Sequence, residues 1–283
     1  MAQPSATDWA TGWDAKDAPQ IGFAFLRADA DQWQDGPWPG LQSMELGLTE
    51  ASKGMFSARR VRVAPGKSVP RTVGADTGWY RHDGDFDFVY VLHGAVMVET
   101  EDGAHHTLGP GASATYPRLT ARREYAATPD LEYLWVTVPG ELPVVGGGEA
   151  PAGAAGRPAV ITYDRPDSYV VANGPRTFFE YRDLGTADAT DRRIHIHAVH
   201  AVRNGEPTGW HYHSMAQWFL IIEGSADLEV EERPTYTMGP LDSMCLGRGM
   251  RHNVAQFSSD YKLIEMCVPA DYTTVGAEPP QRP

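Results

Sequence analysis

The feature that most constrains this chain is an internal repeat that divides it into two similar halves. GADTGW at residues 74–79 recurs as GEPTGW at residues 205–210, an offset of 131 residues. VYVLHGAVMVE, which ends at Glu99, resembles FLIIEGSADLE, which ends at Glu229, at an offset of 130. Similar segments that recur at a nearly constant spacing indicate a duplicated structural unit. The sequence therefore predicts two domains of one fold within its 283 residues.

The segments around the repeat have distinct compositions. Residues 139–158, PGELPVVGGGEAPAGAAGRP, are rich in Gly, Ala and Pro and cannot build a packed core, which indicates a linker. The residues before the repeat contain four tryptophans, so they form either an arm that packs on a barrel or a partly ordered tail. We predict an N-terminal arm (1–41), a first domain (42–139), a linker (140–158), a second domain (159–276) and a C-terminal tail (277–283).

The pattern of short apolar runs predicts an all-β fold. Runs such as residues 88–100 and 218–232 are rich in β-branched and aromatic residues and are bounded by Gly, Pro and Asp. No amphipathic helix longer than two turns is evident. Gly94 and Gly224 each interrupt an apolar run where a hairpin must turn, which suits the freedom of glycine to adopt positive φ. Many short strands at regular spacing favour a sandwich or a barrel.

Composition limits the partners and the compartment. The net charge is −13 and both halves share the acidic excess, so nucleic acid is not an expected partner. The two cysteines, Cys245 and Cys267, are too few for a disulfide framework and lie in apolar strands, which favours a reducing compartment. The first 20 residues lack the pattern of a signal peptide, and no run of about 18 apolar residues occurs. We expect a soluble, cytoplasmic protein without a membrane partner.

Three histidines and one glutamine form the strongest candidate for a functional site. His211 and His213 are two residues apart, so in an extended strand both imidazoles project from the same face and can bind one ion. Gln217 follows at the start of the next apolar run, and His252 supplies a third imidazole from GRGMRHNVAQ. The set predicts a mononuclear metal site in the second domain, with Gln217 as either a direct ligand or a hydrogen-bonding residue.

These segments resemble the two conserved motifs of the cupin superfamily. The residues that match are His211, His213, Gln217, Gly224, Gly239, Gly249 and His252. Gln217 stands where the family has glutamate, and Gly247 and Gln256 stand where it has proline and asparagine. The resemblance implies two cupin barrels in tandem, each a double-stranded β-helix or jelly roll, with one divalent transition metal per chain. Fe(II) is the expected ion, and Ni, Mn, Zn or Cu are alternatives.

The first domain carries a degenerate version of the same site. Tyr80, His82, Asp87 and Arg122 stand at the positions of the four candidate ligands. Arginine cannot bind a cation, so we expect no metal there. Instead we expect the guanidinium of Arg122 to take the place of the ion and to pair with Asp87, because either charge buried alone is costly.

Four other residues are candidate neighbours of the metal. Strand parity predicts that Phe219 shares the face of Gln217, which indicates an apolar pocket for a small organic molecule. His195 and His197 either line this cavity behind the ligands or belong to an ordinary strand face. Cys245 either faces the cavity or is a buried, inert thiol.

The ligand set and the resemblance together predict a reaction class. Three neutral imidazoles and an amide leave the full charge on the ion, which favours a chelating anion such as an enolate or a phenolate. We therefore expect a metal-dependent dioxygenase acting on a small aromatic or carbonyl-bearing compound. The alternatives are a redox-neutral isomerase, lyase or hydrolase and a non-catalytic binding protein. The sequence leaves both a monomer and a homodimer open.

Overall fold

The computed structural model describes residues 19–29, 32–67, 72–73, 78–146, 157–171, 176–203 and 206–281. The first half contains β1 (Ala24–Leu26), β2 (Gln34–Asp35), β3 (Leu41–Glu45), β4 (Ser57–Val63), β5 (Thr72–Val73), β6 (Tyr80–His82), β7 (Phe86–His93), β8 (Val96–Thr100), β9 (His105–Leu108), β10 (Ser113–Pro117), β11 (Arg122–Tyr125), β12 (Glu132–Val138) and β13 (Val144–Gly146). The second contains β14 (Val160–Thr162), β15 (Val170–Val171), β16 (Phe179–Asp183), β17 (His195–Ala201), β18 (His211–His213), β19 (Ala216–Glu223), β20 (Ala226–Val230), β21 (Tyr236–Met238), β22 (Ser243–Leu246), β23 (His252–Phe257), β24 (Lys262–Val268) and β25 (Thr274–Gly276).

Helices are short and few in the described part of the chain. They are α1 (Leu48–Ala51), α2 (Thr186–Ala189) and a 3₁₀ turn at Pro166–Ser168. None of them is long and apolar enough to cross a membrane.

The strands of the described residues form four antiparallel sheets, two in each half. In the first half a seven-stranded sheet (β14-β10-β7-β12-β4-β3-β2) faces a six-stranded one. The six-stranded sheet has the order β13-β6-β11-β8-β9, and its sixth strand, β5, pairs with β11. In the second half a seven-stranded sheet (β1-β22-β19-β24-β17-β16-β15) faces a five-stranded one (β21-β20-β23-β18-β25). Apolar side chains from both sheets fill the space between them in each half. The predicted all-β fold is confirmed, and each half is a jelly roll of two sheets that do not close into a continuous barrel.

The two halves pack against each other through their seven-stranded sheets. Strand β19 shows how the chain achieves this: Trp218 and Leu220 are fully buried in the apolar cluster between the halves. Gln217 and Phe219 project from the opposite face, into the interior of the second half. Because the strand is buried on both faces, its sequence is almost continuously apolar, and alternation alone decides which residues face the interior.

Two strands lie in the sheet of the other half. Strand β1, from the predicted N-terminal arm, pairs with β22 of the second half, and β14 pairs with β10 of the first. The predicted linker also contains β13, which pairs with β6. Residues 147–156 of the linker and 1–18 of the arm lie outside the described residues. In the described part of the arm, the Trp33 ring lies 3.7 Å from the guanidinium carbon of Arg62.

Glycines turn the equivalent hairpins in both halves. Gly94 lies between β7 and β8 with φ of 66°, and Gly224 lies between β19 and β20 with φ of 70°. A Cβ at Gly94 would lie 2.7 Å from the backbone nitrogen of Leu131, and one at Gly224 would lie 2.8 Å from that of Tyr261. Both the backbone conformation and the space require glycine at these turns, as the sequence predicts.

Candidate metal centre

Three imidazoles converge at the edge of the smaller sheet of the second half. His211 and His213 project from the same face of β18, and His252, the first residue of β23, lies directly opposite His211. The ring centroids of His211 and His252 are 4.2 Å apart, and those of His213 and His252 are 5.2 Å apart. One ring nitrogen of each lies within 4.8 Å of those of the other two. The three buried side chains can therefore reach a common centre.

A hydrogen bond at Nδ1 orients each of the three imidazoles. The Nδ1–H of His211 donates to the carbonyl of Gly209 at 2.7 Å, and that of His252 donates to the carbonyl of Met250 at 3.0 Å. Nδ1 of His213 lies 2.9 Å from the hydroxyl of Thr274. A neutral imidazole that donates through Nδ1 keeps a lone pair on Nε2. For His211 and His252 the backbone thus holds the tautomer that suits a metal ligand.

Burial keeps these imidazoles neutral. Desolvation, with smaller contributions from His252 and Arg176, lowers the pKa of His211 to about 3. Desolvation also lowers the pKa of His213 to about 4, and it lowers the pKa of His252. Near neutral pH all three can bind a cation without first losing a proton.

Gln217 brings an oxygen to the same cavity. Its side chain is buried, and its Oε1 has no hydrogen-bond partner among the described residues. A buried amide oxygen without a partner destabilises the folded protein unless water or a ligand donates a hydrogen bond to it, or an ion binds it. Three imidazole nitrogens and one amide oxygen suit a divalent transition ion, so the residues present fit the metal that the cupin resemblance implies.

The candidate ligands line a cavity of about 530 Å³. Phe219 lies on its wall, on the same face as Gln217, as strand parity predicts. The apolar lining also includes Phe179, Val199, Trp210, Leu228, Val254 and Leu263. A cavity of this volume, lined by both apolar and polar side chains, is suited to a small organic molecule that carries polar groups.

A carboxylate that the sequence analysis missed also lines the cavity. Glu265 lies on β24 opposite His197 of β17, and His197 Nε2 is 2.8 Å from its Oε2. Burial by itself raises the pKa of Glu265, but the hydrogen bond and charge of His197, with His213 and His252 nearby, lower it to about 2. Glu265 is therefore ionised. The sequence signal that could have identified Glu265 is its position as the single acidic residue within the apolar run of β24.

Cys267 lies close to this pair without forming an evident second metal site. Its sulfur and one donor atom each of His197 and Glu265 lie within 4.8 Å of one another. Burial raises the pKa of the Cys267 thiol well above its usual value. The thiol stays protonated, and a protonated thiol is a poor metal ligand.

His195, His197 and Cys245, the other candidate neighbours of the metal, do not line the cavity. The His195 ring packs edge-on against His197, with the centroids 4.7 Å apart, and its side chain is 26% exposed. Cys245 pairs across the strands with Trp218 and faces the first half of the molecule. Strand alternation explains why Cys245 faces away from the cavity: it shares the face of Trp218, and Trp218 and Gln217 point to opposite faces of β19. Burial also raises the pKa of the Cys245 thiol, so it is inert.

Arg176 is a second polar residue that the sequence analysis missed. It precedes β16, is half-buried and lines the cavity. Its charge contributes to the lowered pKa of His211, His213 and His252. No sequence signal marks it, because its position depends on the turn just before β16.

The equivalent place in the first half is filled by a buried ion-pair network. The guanidinium of Arg122 donates to Asp87, whose other oxygen accepts from Trp135 Nε1 at 2.8 Å. Arg122 Nε also lies 3.2 Å from Glu124 Oε1, which accepts from the Tyr80 hydroxyl at 2.6 Å. The cavity that remains has a volume of only about 10 Å³. The pairing expected from the sequence is present, and Glu124 and Trp135 extend it.

Comparisons with known proteins agree with this architecture. The profile of the Cupin domain family matches residues 59–138 and 198–268. Comparison with curated protein sequences found no match.

Solved structures of similar fold have low sequence identity. A structure of oxalate decarboxylase is 13% identical with a TM-score of 0.61, covering 90% of this chain and 80% of that one. Protein Ylba from E. coli is 12% identical with a TM-score of 0.62, covering 95% and 98%. A protein from Pseudomonas aeruginosa described as glyoxylate-induced is 13% identical with a TM-score of 0.62, covering 96% and 97%. These likenesses concern the fold.

Proposed function

Because this chain belongs to the Cupin domain family, we propose that its second half is a metal-dependent dioxygenase acting on a small aromatic or carbonyl-bearing compound. The observation that carries the proposal is the convergence of three neutral imidazoles in a cavity of about 530 Å³ that apolar and polar side chains line together. His211, His213 and His252 would hold the ion, and Gln217 would complete or border its coordination. Fe(II) is the ion that we propose.

The neutral ligands determine what the centre would bind. A divalent ion held by imidazole and amide groups keeps its full positive charge, and it would supply a site for a chelating anion beside dioxygen. The apolar walls, Phe219 among them, would hold the carbon skeleton and exclude water.

Glu265 would act as the base. A substrate that chelates through an enol or a phenol must lose a proton on binding; the ion would lower the pKa of that hydroxyl, and the ionised carboxylate in the cavity wall would accept the proton. The hydrogen bond from His197 orients this carboxylate and keeps it ionised. Glu265 and the three imidazoles lie on opposite sheets, so a substrate between them would contact both.

The same carboxylate supports one alternative function. A base beside a Lewis-acidic ion also suits a redox-neutral isomerase, lyase or hydrolase. Such an enzyme would consume no oxygen, and Zn, Mn or Ni would serve it as well as iron.

Oxygen consumption separates the two functions. We would load the purified protein with Fe(II) under anaerobic conditions and screen diketones and phenols in an oxygen electrode. We expect stoichiometric oxygen uptake with at least one compound and none in the His252→Ala variant. Turnover of a screened compound without oxygen uptake would favour the redox-neutral reaction and contradict the dioxygenase.

A further inference from the structure

Arg176 is the one cationic side chain among the described residues that line the cavity. The backbone N–H of Phe179 donates to the Arg176 carbonyl at 3.1 Å, which closes a turn just before β16. This turn fixes the start of the side chain at the edge of the larger sheet. Arg176 therefore occupies a defined place in the cavity wall.

No described carboxylate pairs with this guanidinium. Among the described residues, no carboxylate oxygen lies within 4.0 Å of a guanidinium nitrogen of Arg176. Glu265 lines the same cavity but is engaged by His197 at 2.8 Å. Other arginines with little exposure do have partners: Arg60 pairs with Glu132, and Arg182 donates to the carbonyl of Gly111.

An unpaired guanidinium in a ligand-sized cavity is most stable when an anion binds it. The fork of N–H groups matches the two oxygens of a carboxylate, and such charge-assisted pairs are among the strongest hydrogen bonds in proteins. The apolar side chains around it would raise the strength of the pair by reducing competition from water.

We propose that Arg176 binds a carboxylate of the substrate, and that the substrate is therefore an organic acid. Its carboxylate lies at the larger sheet, beside the start of β16, and its remaining oxygen groups face the imidazoles of the smaller sheet. The apolar walls contact the carbon skeleton between these two ends. This inference rests on the proposed function only for the reaction at the end of the substrate that faces the imidazoles, because anion binding by Arg176 requires no metal.

Matched pairs of acids and amides test the proposal in the metal-free protein. The probes are benzoate with benzamide and phenylacetate with phenylacetamide, which have the same shape but differ in charge. Isothermal calorimetry near neutral pH measures each dissociation constant after treatment with a chelator. We expect each acid to bind more tightly than its amide by at least about 10-fold, since hydrogen bonds to charged groups contribute that much.

Three variants assign the effect to one residue. Arg176→Met should raise the dissociation constant of the acids about 10- to 100-fold and leave that of the amides within about 2-fold. Arg176→Lys keeps the charge and should retain part of the affinity. Arg203→Met is the control, because Arg203 is exposed, donates to Thr177 at 3.3 Å and does not line the cavity. Thermal unfolding of each variant checks that it is folded.

The possible results separate this inference from the proposed function. If no acid binds more tightly than its amide, or if Arg176→Met binds the acids as well as the parent, the carboxylate site is wrong. Acid binding that depends on Arg176 in a protein with no metal binding and no oxygen uptake would support the carboxylate site and contradict the dioxygenase.

Discussion

Arg122 occupies in the first half the place that His252 occupies in the second. Arg122 lies opposite Tyr80 on β11 and β6, as His252 lies opposite His211 on β23 and β18. The guanidinium is fully buried and donates to Asp87, the counterpart of Gln217. Burial alone would lower the pKa of Arg122, but the negative groups Asp87 and Glu124 raise it well above its usual value. A fixed positive charge therefore lies where the other half places an imidazole of the proposed metal centre.

This network predicts a strong dependence of stability on charge balance. Arg122→Ala leaves two buried carboxylates without their cation and should destabilise the protein by about 3–5 kcal/mol. A neutral variant, Arg122→Met with Asp87→Asn and Glu124→Gln, should lose less, because no buried charge remains unpaired. Urea unfolding measures both. Equal losses in the two variants would show that the ion pairs do not determine stability here.

The neutrality of Gln217 predicts opposite effects on metal binding and turnover. Gln217→Glu adds a negative charge beside the ion, which should tighten metal binding by about 10-fold or more and weaken capture of an anionic substrate. Gln217→Ala leaves the charge unchanged and serves as the control. The measurements are metal dissociation by competition with a chelator and steady-state turnover. A glutamate variant that turns over as fast as the parent would contradict a role for neutrality.

Glu265 is predicted to act in proton transfer. Glu265→Gln should lower kcat by about 100-fold or more, the range typical of a lost general base, while metal content stays unchanged. His197→Phe removes the hydrogen bond that helps hold the pKa of Glu265 at about 2, so the acid limb of the rate profile should move to higher pH. Rates measured across pH test both. An unchanged kcat in Glu265→Gln would exclude this carboxylate as the base.

Acid should destabilise the metal-free protein. The folded-state pKa is about 3 for His211, about 4 for His213 and about 4 for His195. In the unfolded chain each has a pKa of about 6.5, so below that pH the unfolded state binds more protons. The stability present above about pH 6.5 is therefore lost as the pH falls to about 4, by up to about 1.4 kcal/mol per pH unit for each histidine.

Unfolding by urea between about pH 7 and pH 4 measures this loss. His213→Gln should flatten the pH dependence, whereas a substitution of the exposed His93, such as His93→Gln, serves as the control. A pH dependence that is unaffected by His213→Gln would contradict the burial of neutral imidazoles at the site.

The sequence predicts the fold and the imidazoles well because both depend on local spacing. The internal repeat marks the two halves, and the separation of His211 and His213 by two residues defines their common face on β18. The parity of β19 correctly separates Phe219, in the cavity, from Trp218, between the halves.

The residues that sequence reasoning missed depend on long-range pairing. Glu265 comes next to His197 only because β24 and β17 are neighbours in register. Arg176 lines the cavity because of a turn before β16. Cys245 faces the other half because β22 pairs with β19 in a register that the sequence does not specify. Strand β1 joins the sheet of the second half through a similar distant pairing.

Elemental analysis of the purified protein tests the metal centre most directly. We expect about one transition metal ion per chain, lost in His252→Ala and in His211→Ala while the fold is retained. His82→Ala, at the position of the first half that corresponds to His213, should keep one metal ion per chain, because Arg122 already fills the place of an ion in that half. Two equivalents in the parent protein, or one equivalent that persists in His252→Ala, would contradict a single centre built from His211, His213 and His252.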